Sequence, residues 1–312
     1  MDRKVSGAVI GIDLDVSRLI MGCAFRSTFD EMCRVFDRYI ENGGNAFDTA
    51  YAYGDADAFL GRWLRDRGIR DDLVIVAKGA HPPDCLPERI GPQLRESLDR
   101  IGTDRADLYL IHHDDESVPV EEFVDAFDAE RRAGRVTAYG VSNWSVDRLA
   151  AANRYADRAG RFRPTVLSNH FGLARVAERW WPLGRDAMDA HSRDWLATTG
   201  TPLWAWSAQS RGFFARADPA DRSDPDLVRC YFTADNFERL ARARALAERF
   251  GVPATTIALA YVLHQPFPTF ALVGPLAVAE LDASLAALDV DLTADEVAWL
   301  DLRDTSAEPH PN

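Results

Sequence analysis

Cysteine is scarce in this chain: Cys23, Cys33, Cys85 and Cys230 are the only four among 312 residues, and no two stand at CxxC spacing. Neither a disulfide framework nor a zinc site is indicated, so the thiols are expected to be reduced and structural, with no metal bound. Long apolar runs are missing too. Nothing approaches the roughly 18 residues of a membrane span, and the start, "MDRKVSGAVIGIDLD", lacks the apolar stretch of a secretion signal. A cytoplasmic location without a membrane partner is expected. Positive charge is in deficit: 36 Lys and Arg stand against 49 Asp and Glu, and the net charge of −13 opposes nucleic acid and anionic lipid. No GxGxxG follows a strand-like run, so the glycine turn of doubly wound dinucleotide-binding sheets is absent. GxSxG is absent as well, and no acidic pair at glycosidase spacing can be assigned, which ranks hydrolase chemistry low.

What the chain does have is a core-forming composition, 47% hydrophobic and 27% charged, and a repeating order. Short apolar runs recur eight times: "RLIMG" at 18, "NAFD" at 45, "LVIVAK" at 73, "ADLYLIH" at 106, "VTAYGVS" at 136, "TVLSN" at 165, "PLWAWS" at 202 and "TFALVG" at 269. They are too continuous to alternate with solvent, which suits buried parallel strands. Helical segments separate them. In "TFDEMCRVFDRYIENGG", Thr28 and Glu31 form a capping-box pattern, Met32, Val35, Phe36, Tyr39 and Ile40 share one face, and Gly43 or Gly44 can end the helix. Residues 119–134 repeat this logic with Pro119 early and Gly134 late.

Eight strand-then-helix units predict an α/β fold, the (β/α)8 TIM barrel, with an open doubly wound sheet as second choice. One domain is expected over residues 1–312, the barrel running roughly from 16 to 290 and residues 304–312 forming a loose tail. The opening residues read as a hairpin able to plug the N-terminal end of the strands. Long loops are expected after strand six, at 174–190, and after strand seven, at 208–236, on the face where barrel chemistry occurs.

On that face the apolar strands run out at polar residues. Asp48 ends "NAFD", Lys78 ends "LVIVAK", His112 ends "LYLIH", and Tyr53 follows Asp48 by five residues. Each has an ordinary structural role open to it: a turn cap, a snorkelling lysine, a satisfied core imidazole, a packed tyrosine. Together they make a device for tuning a phenol, because a cation beside a tyrosine lowers its pKa from about 10.

The motifs "FDTAYAYG", "VAKG" and "DLYLIHHDD" together resemble the aldo-keto reductase superfamily, and the resemblance runs from "RLIMG" to about residue 290. It implies a catalytic tetrad of Asp48, Tyr53, Lys78 and His112. Tyr53 would protonate a carbonyl oxygen while a nicotinamide delivers hydride, Lys78 would lower the Tyr53 pKa, Asp48 would hold Lys78, and His112 would orient the carbonyl. His113 is a competitor for that last position. Strand alternation lets only one of the two point inward, and the family register favours His112.

The resemblance also implies NADP(H) or NAD(H) as cofactor. Ser142 and Asn143 of "GVSNW" would hold the carboxamide, Ser168 stands where many members have Gln, and Phe171 stands where a Tyr commonly stacks on the nicotinamide. Ser207, Gln209 and Gly212 of "WSAQSRGFF" would form the pyrophosphate loop. Beyond strand eight, "VGPLAVAELDASLAAL" brings Gly274, Leu276, Glu280 and Ser284, but Leu276 and Ala277 replace the basic and hydroxyl residues that often grip a 2′-phosphate. That departure leaves the preference open: the missing cation admits NADH, and an arginine from the loop after strand seven could substitute for it and admit NADPH. Phe25, His113, Trp144 and Trp181 are expected to line the substrate side, suiting sugars, ring ketones or aryl aldehydes. The expected activity is reduction of an aldehyde or ketone by a monomer or small homo-oligomer. An NAD-dependent alcohol or sugar dehydrogenase and a nucleotide-binding regulatory subunit with little turnover are the alternatives.

Overall fold

The computed structural model describes residues 6–24, 28–185, 187 and 189–303; the expected tail at 304–312 and Phe25 lie outside the described residues. Two short strands come first, β1 (Ser6–Gly7) and β2 (Val16–Ser17), paired antiparallel with Ser6 opposite Ser17. The hairpin between them carries Val9, Ile12 and Val16 against side chains of the barrel interior, closing the N-terminal end as expected.

The alternating units follow in order: β3 (Leu19–Gly22), α1 (Phe29–Glu41), β4 (Ala46–Asp48), α2 (Ala56–Arg67), β5 (Val74–Gly79), α3 (Pro87–Ile101), β6 (Ala106–Ile111), α4 (Val120–Arg132), β7 (Val136–Ser142) and α5 (Val146–Ala159). After these come β8 (Leu167–Ser168), α6 (Ala190–Thr199), β9 (Leu203–Ala205), the short helices α7 (Phe213–Arg216) and α8 (Pro225–Tyr231), then α9 (Ala234–Phe250) and α10 (Ala254–Leu263). The chain returns through β10 (Thr269–Val273) to α11 (Val278–Leu285) and α12 (Ala294–Leu300). Strands β3 to β10 close a parallel barrel, β10 pairing with both β9 and β3.

Local chemistry sets the boundaries. The capping box of α1 is formed in both directions, Glu31 N–H donating to Thr28 Oγ1 and Thr28 N–H to the Glu31 carboxylate. Met32, Val35, Phe36 and Tyr39 are its buried face; Ile40 is half-buried. Helix α4 begins after Pro119, and the chain turns at Gly134 with φ 75°.

Strand alternation divides the core in two. Ile20, Ala46, Val74, Val76, Leu108, Leu110, Ala138, Val166, Trp204 and Phe270 fill the barrel, all at even positions. Their odd neighbours, among them Ala77, Tyr109, Ile111, Tyr139, Val141 and Leu203, face the helices. The two long loops fall where expected: residues 174–189 carry no helix or strand among the described residues, and the connection after β9 holds α7 and α8. No single described helix is long and apolar enough to cross a membrane; α9 and α10 meet that length and composition only as a pair bent by 98°.

Helix α2 lies against the end of α3 so closely that a Cβ on Gly61 would stand 2.1 Å from the Ile101 carbonyl oxygen. Helix propensity alone would reward Gly61→Ala by about 1 kcal/mol. A backbone clash outweighs that gain, so the substitution is expected to destabilise by about 1–3 kcal/mol, read as a lower urea midpoint at unchanged slope.

Candidate active site

Following the even positions one step past the apolar layer reaches the barrel mouth. Ala46 leads to Asp48, Val76 to Lys78, Leu110 to His112, Gly140 to Ser142, Val166 to Ser168 and Trp204 to Trp206. Asp48 and Lys78 are both buried and form an ion pair between Asp48 Oδ1 and Lys78 Nζ. The other carboxylate oxygen of Asp48 is buried without a hydrogen-bond partner.

Tyr53 is delivered to this pair by a tightly held loop. Thr49 N–H donates to the Val76 carbonyl at 2.8 Å, Tyr51 N–H to the Lys78 carbonyl at 2.8 Å, and Tyr53 N–H to the Ala50 carbonyl at 2.9 Å. The Lys78 ammonium lies 5.1 Å from the centre of the Tyr53 ring. His112 meets that ring edge-on at 5.6 Å. The four residues expected to act together therefore share one mouth.

Their electrostatics follow from burial and one cation. Burial pulls the Lys78 pKa down, but Asp48 and Tyr53 push it above the ordinary lysine value, so the amine stays charged. Burial raises the Asp48 carboxyl against the pull of Lys78. For Tyr53 the sequence expectation was a lowered phenol. Burial instead raises it above its ordinary value; Lys78 works in the expected direction without overcoming desolvation. His112 is held well below the usual imidazole range, first by burial, then by Lys78 and the two neighbouring imidazoles, and so is neutral.

The competition expected between His112 and His113 does not arise. Alternation carries His112 inward, its N–H still donating to the Gly79 carbonyl at 2.8 Å, but the chain bends there, so it does not send His113 to the opposite side, and the two rings stack at 5.2 Å with 17° between planes. His81, three residues past Lys78 and unremarked in the sequence, joins them edge-on at 4.9 Å from His112 and 5.0 Å from His113. Its backbone follows Ala80, a non-glycine residue at φ 55° whose N–H donates to Gln93 Oε1. Among the described residues no group of three or more His, Cys, Asp or Glu side chains is arranged to hold a metal ion.

The expected cofactor residues divide. Ser142 and Ser168 are opposite one another across β7 and β8, at the mouth. Asn143, at φ 61°, is spent on the protein: its amide donates to the His112 carbonyl and to Ser142 Oγ, and its Oδ1 accepts from Arg185 N–H. Phe171 has odd parity and lies on the helix side, stacked parallel to Tyr261 at 6.3 Å and fully buried, so it offers no face at the mouth. Trp206 does: it is half-buried, two positions past Trp204, with its indole N–H buried and unpartnered. Counting by twos along "PLWAWS" would have found it.

Of the substrate-side residues, Trp144 is also withdrawn, buried against Phe123 with the Arg148 guanidinium 4.8 Å from its ring centre. Trp181 remains 44% exposed and meets Trp206 edge-on at 5.5 Å. Ser207 and Gly212 both take left-handed backbone, at φ 53° and 82°, and Gln209 Nε2 donates to Ser284 Oγ at 3.2 Å, joining the loop after β9 to α11. A Cβ on Gly274 would meet nothing within 4 Å, which leaves room for a ligand at the end of β10. Leu276 is 45% exposed, and its N–H donates to the Glu280 carboxylate at 2.8 Å.

A closed (β/α)8 barrel with Asp, Tyr, Lys and His gathered at the strand C-terminal end defines a class of nicotinamide-dependent oxidoreductases. Residues 19–302 match the model of the Aldo/keto reductase family, and the chain belongs to that family. It is 28% identical to the uncharacterized oxidoreductase YrpG of Bacillus subtilis (strain 168), covering 89% of each chain. It is 30% identical to norsolorinic acid reductase stcV of Emericella nidulans over 84% of this chain and 69% of that one. A crystal structure of an aldo/keto reductase from Klebsiella pneumoniae in complex with NADP and acetate has the same fold, with a TM-score of 0.72 at 20% identity over 95% of this chain and 94% of that one. The chain is thus an NAD(P)-dependent oxidoreductase, of a family whose general chemistry is reduction of carbonyl compounds.

The depressed imidazoles have a cost in acid. Burial, with His81, lowers the His113 pKa from 6.5 to about 4. The unfolded chain takes up that proton as pH falls through its ordinary value while the folded chain resists, so stability drops as pH falls through this window and is flat above it. His113→Asn is expected to remove about 2 kcal/mol of the stability lost between pH 7 and pH 5, measured by urea unfolding at both. An unaltered slope would mean His113 titrates normally.

Proposed function

We propose that this protein reduces an aldehyde or ketone, with Tyr53 as the proton donor, and that the carbonyl belongs to a planar aryl compound. The observation that carries the reading is the junction of a phenol kept protonated by burial, an ammonium held by Asp48 and a neutral imidazole at one barrel mouth. A carbonyl oxygen reached by Tyr53 and His112 gains charge as its carbon is reduced, and two hydrogen-bond donors stabilise that charge more in the transition state than in the ground state. Lys78 eases proton loss from Tyr53 at that moment, because its charge favours the phenolate. Asp48 keeps Lys78 oriented. The aromatic surfaces of Trp181 and His113 favour a flat substrate.

Bound nicotinamide would supply the hydride. In this reading Ser142 and Ser168 would meet its polar edge, Trp206 its ring, and the Gln209 and Gly274 loops would take the phosphates. Preference between the two nucleotides rests on the start of α11. Leu276 and Ala277 give a 2′-phosphate neither cation nor hydroxyl, and Glu280 already occupies the backbone donor at Leu276, just ahead of the helix, with its own carboxylate. In the loop after β9, Arg216 is engaged by Asp224 and by the Arg211 carbonyl, while Arg211 lies over Trp180 at 4.4 Å. NADH is therefore bound at least as tightly as NADPH.

Tyr53→Phe is expected to lower turnover by at least about a hundredfold while nucleotide affinity changes little, since the acid is removed and the cradle kept. Steady-state rates paired with nucleotide titration decide this; turnover like that of the wild type would remove Tyr53 from the mechanism. Calorimetric titration with NADH and NADPH checks the preference, and Leu276→Arg is expected to tighten NADPH selectively. An equal response for both nucleotides would place the 2′-phosphate elsewhere.

A further inference from the structure

Tyr53 stands midway along a stretch of chain that one buried side-chain bond closes into a ring. Thr49 Oγ1 donates to Asp57 Oδ1 at 2.6 Å, both residues are fully buried, and Tyr53 lies halfway between them in sequence. The bond joins the end of β4 to the first turn of α2.

Asp57 is not spent on capping its own helix. Asp55 holds the N-cap position of α2 without a side-chain bond, while Asp57 turns one oxygen back to Thr49 and keeps the other, Oδ2, buried without a hydrogen-bond partner among the described residues. A carboxylate taken out of water for one hydroxyl is a costly way to stabilise a fold, even with the positive end of α2 offsetting part of the cost. What it supplies is a fixed span. Helix α2 is packed against α3 at Gly61, and Thr49 is held from the other side by its N–H to the Val76 carbonyl at 2.8 Å. Between these anchors Ala52, Gly54 and Asp55 are exposed, Gly54 takes left-handed backbone at φ 62°, and a Cβ on it would meet nothing within 4 Å. The stretch is therefore held from its ends and its inner side, not by packing over its crest.

We infer that Thr49 and Asp57 are positioning residues for Tyr53, their buried bond setting where the phenol stands relative to Lys78 and His112 when it delivers its proton. This rests on the reading of Tyr53 as the acid. Thr49 reaches the helix side through its bond to α2, so neither residue takes part in the proton transfer. A misplacement of about 1 Å at a reacting group can cost on the order of a hundredfold in rate. Loss of the tie should appear in kcat and not in nucleotide binding.

The test follows reduction of para-nitrobenzaldehyde, with NADH or NADPH, whichever the wild type turns over faster, in wild type, Thr49→Val, Thr49→Ser and Tyr53→Phe. Thr49→Val keeps the shape and removes the hydroxyl; kcat is expected to fall by about tenfold or more while nucleotide Kd, from calorimetric titration, changes by less than about twofold. Thr49→Ser restores the hydroxyl and should recover most of the kcat. A purely structural bond would lower the thermal midpoint of Thr49→Val and leave kcat of the folded protein unchanged. That outcome overturns the inference, as does a Thr49→Ser no faster than Thr49→Val. Should Thr49→Val show no cooperative thermal transition, Thr49→Val/Asp57→Leu, which removes both polar partners together, is read in the same way. Absence of a transition there too makes the bond structural and overturns the inference. Tyr53→Phe separates the two levels: wild-type turnover in that variant, or no reduction of the aldehyde by the wild type, overturns the reading beneath, whereas a slowed Tyr53→Phe beside an unchanged Thr49→Val overturns the tie alone.

Discussion

A closed barrel gives each strand residue only two directions, into the barrel or toward the helices, and this alternation organises the whole molecule. Even positions from Ile20 to Phe270 make the interior apolar and dry. The same parity then carries Asp48, Lys78 and His112 inward at the one end where the strands stop. An ammonium set down on a hydrophobic layer is costly unless paired, and Asp48 on the adjacent strand supplies the pair. The backbone makes use of the same seam: the Val76 and Lys78 carbonyls receive the N–H groups of Thr49 and Tyr51, so the strand that carries the cation also fixes the loop that carries Tyr53.

From this pairing the proton states at the mouth follow. Lys78 keeps its charge, and that charge helps to hold His112 neutral. His81 and His113 reinforce the effect on His112, and His81 likewise opposes protonation of His113. Tyr53 stays protonated because burial outweighs the nearby cation. A phenol that holds its proton in the resting protein and loses it as an adjacent oxygen becomes negative is suited to donating only when the reaction calls for it. The raised pKa is thus compatible with the acid role, although the route differs from simple lowering by lysine.

The strands, their order, the hairpin plug and the capping box of α1 were legible because each is written in local pattern: apolar runs, Thr28 with Glu31, glycine after a helix. Asp48, Lys78 and His112 were legible as polar residues ending apolar strands. Three features needed more than local pattern. Phe171 lies past the end of β8, where its ring packs on the helix side against Tyr261, whereas Trp206 still pairs with His170, keeps the parity of Trp204 and reaches the mouth. Trp144 lies past the end of β7, where its ring turns back onto Phe123. The direction of the Tyr53 shift needed a three-dimensional quantity, the balance of desolvation against one charge, which no sequence spacing contains.

These successes and failures separate two kinds of position. Inside a strand, direction is fixed by counting, and a side chain can be changed without moving its neighbours to the other face. Once the chain turns away past the strand end the count lapses, and direction depends on the turn: Ala80 at φ 55° precedes His81, and Asn143 at φ 61° spends its side chain bracing His112 and the Arg185 loop. Asp48, Lys78 and His112 stand at or one residue beyond the last strand positions, while His81, His113, Trp181 and Leu276 stand beyond them. Positions on the alternating lattice are therefore held by the barrel as a whole, whereas in the turns a substitution can redirect a side chain without disturbing the lattice below.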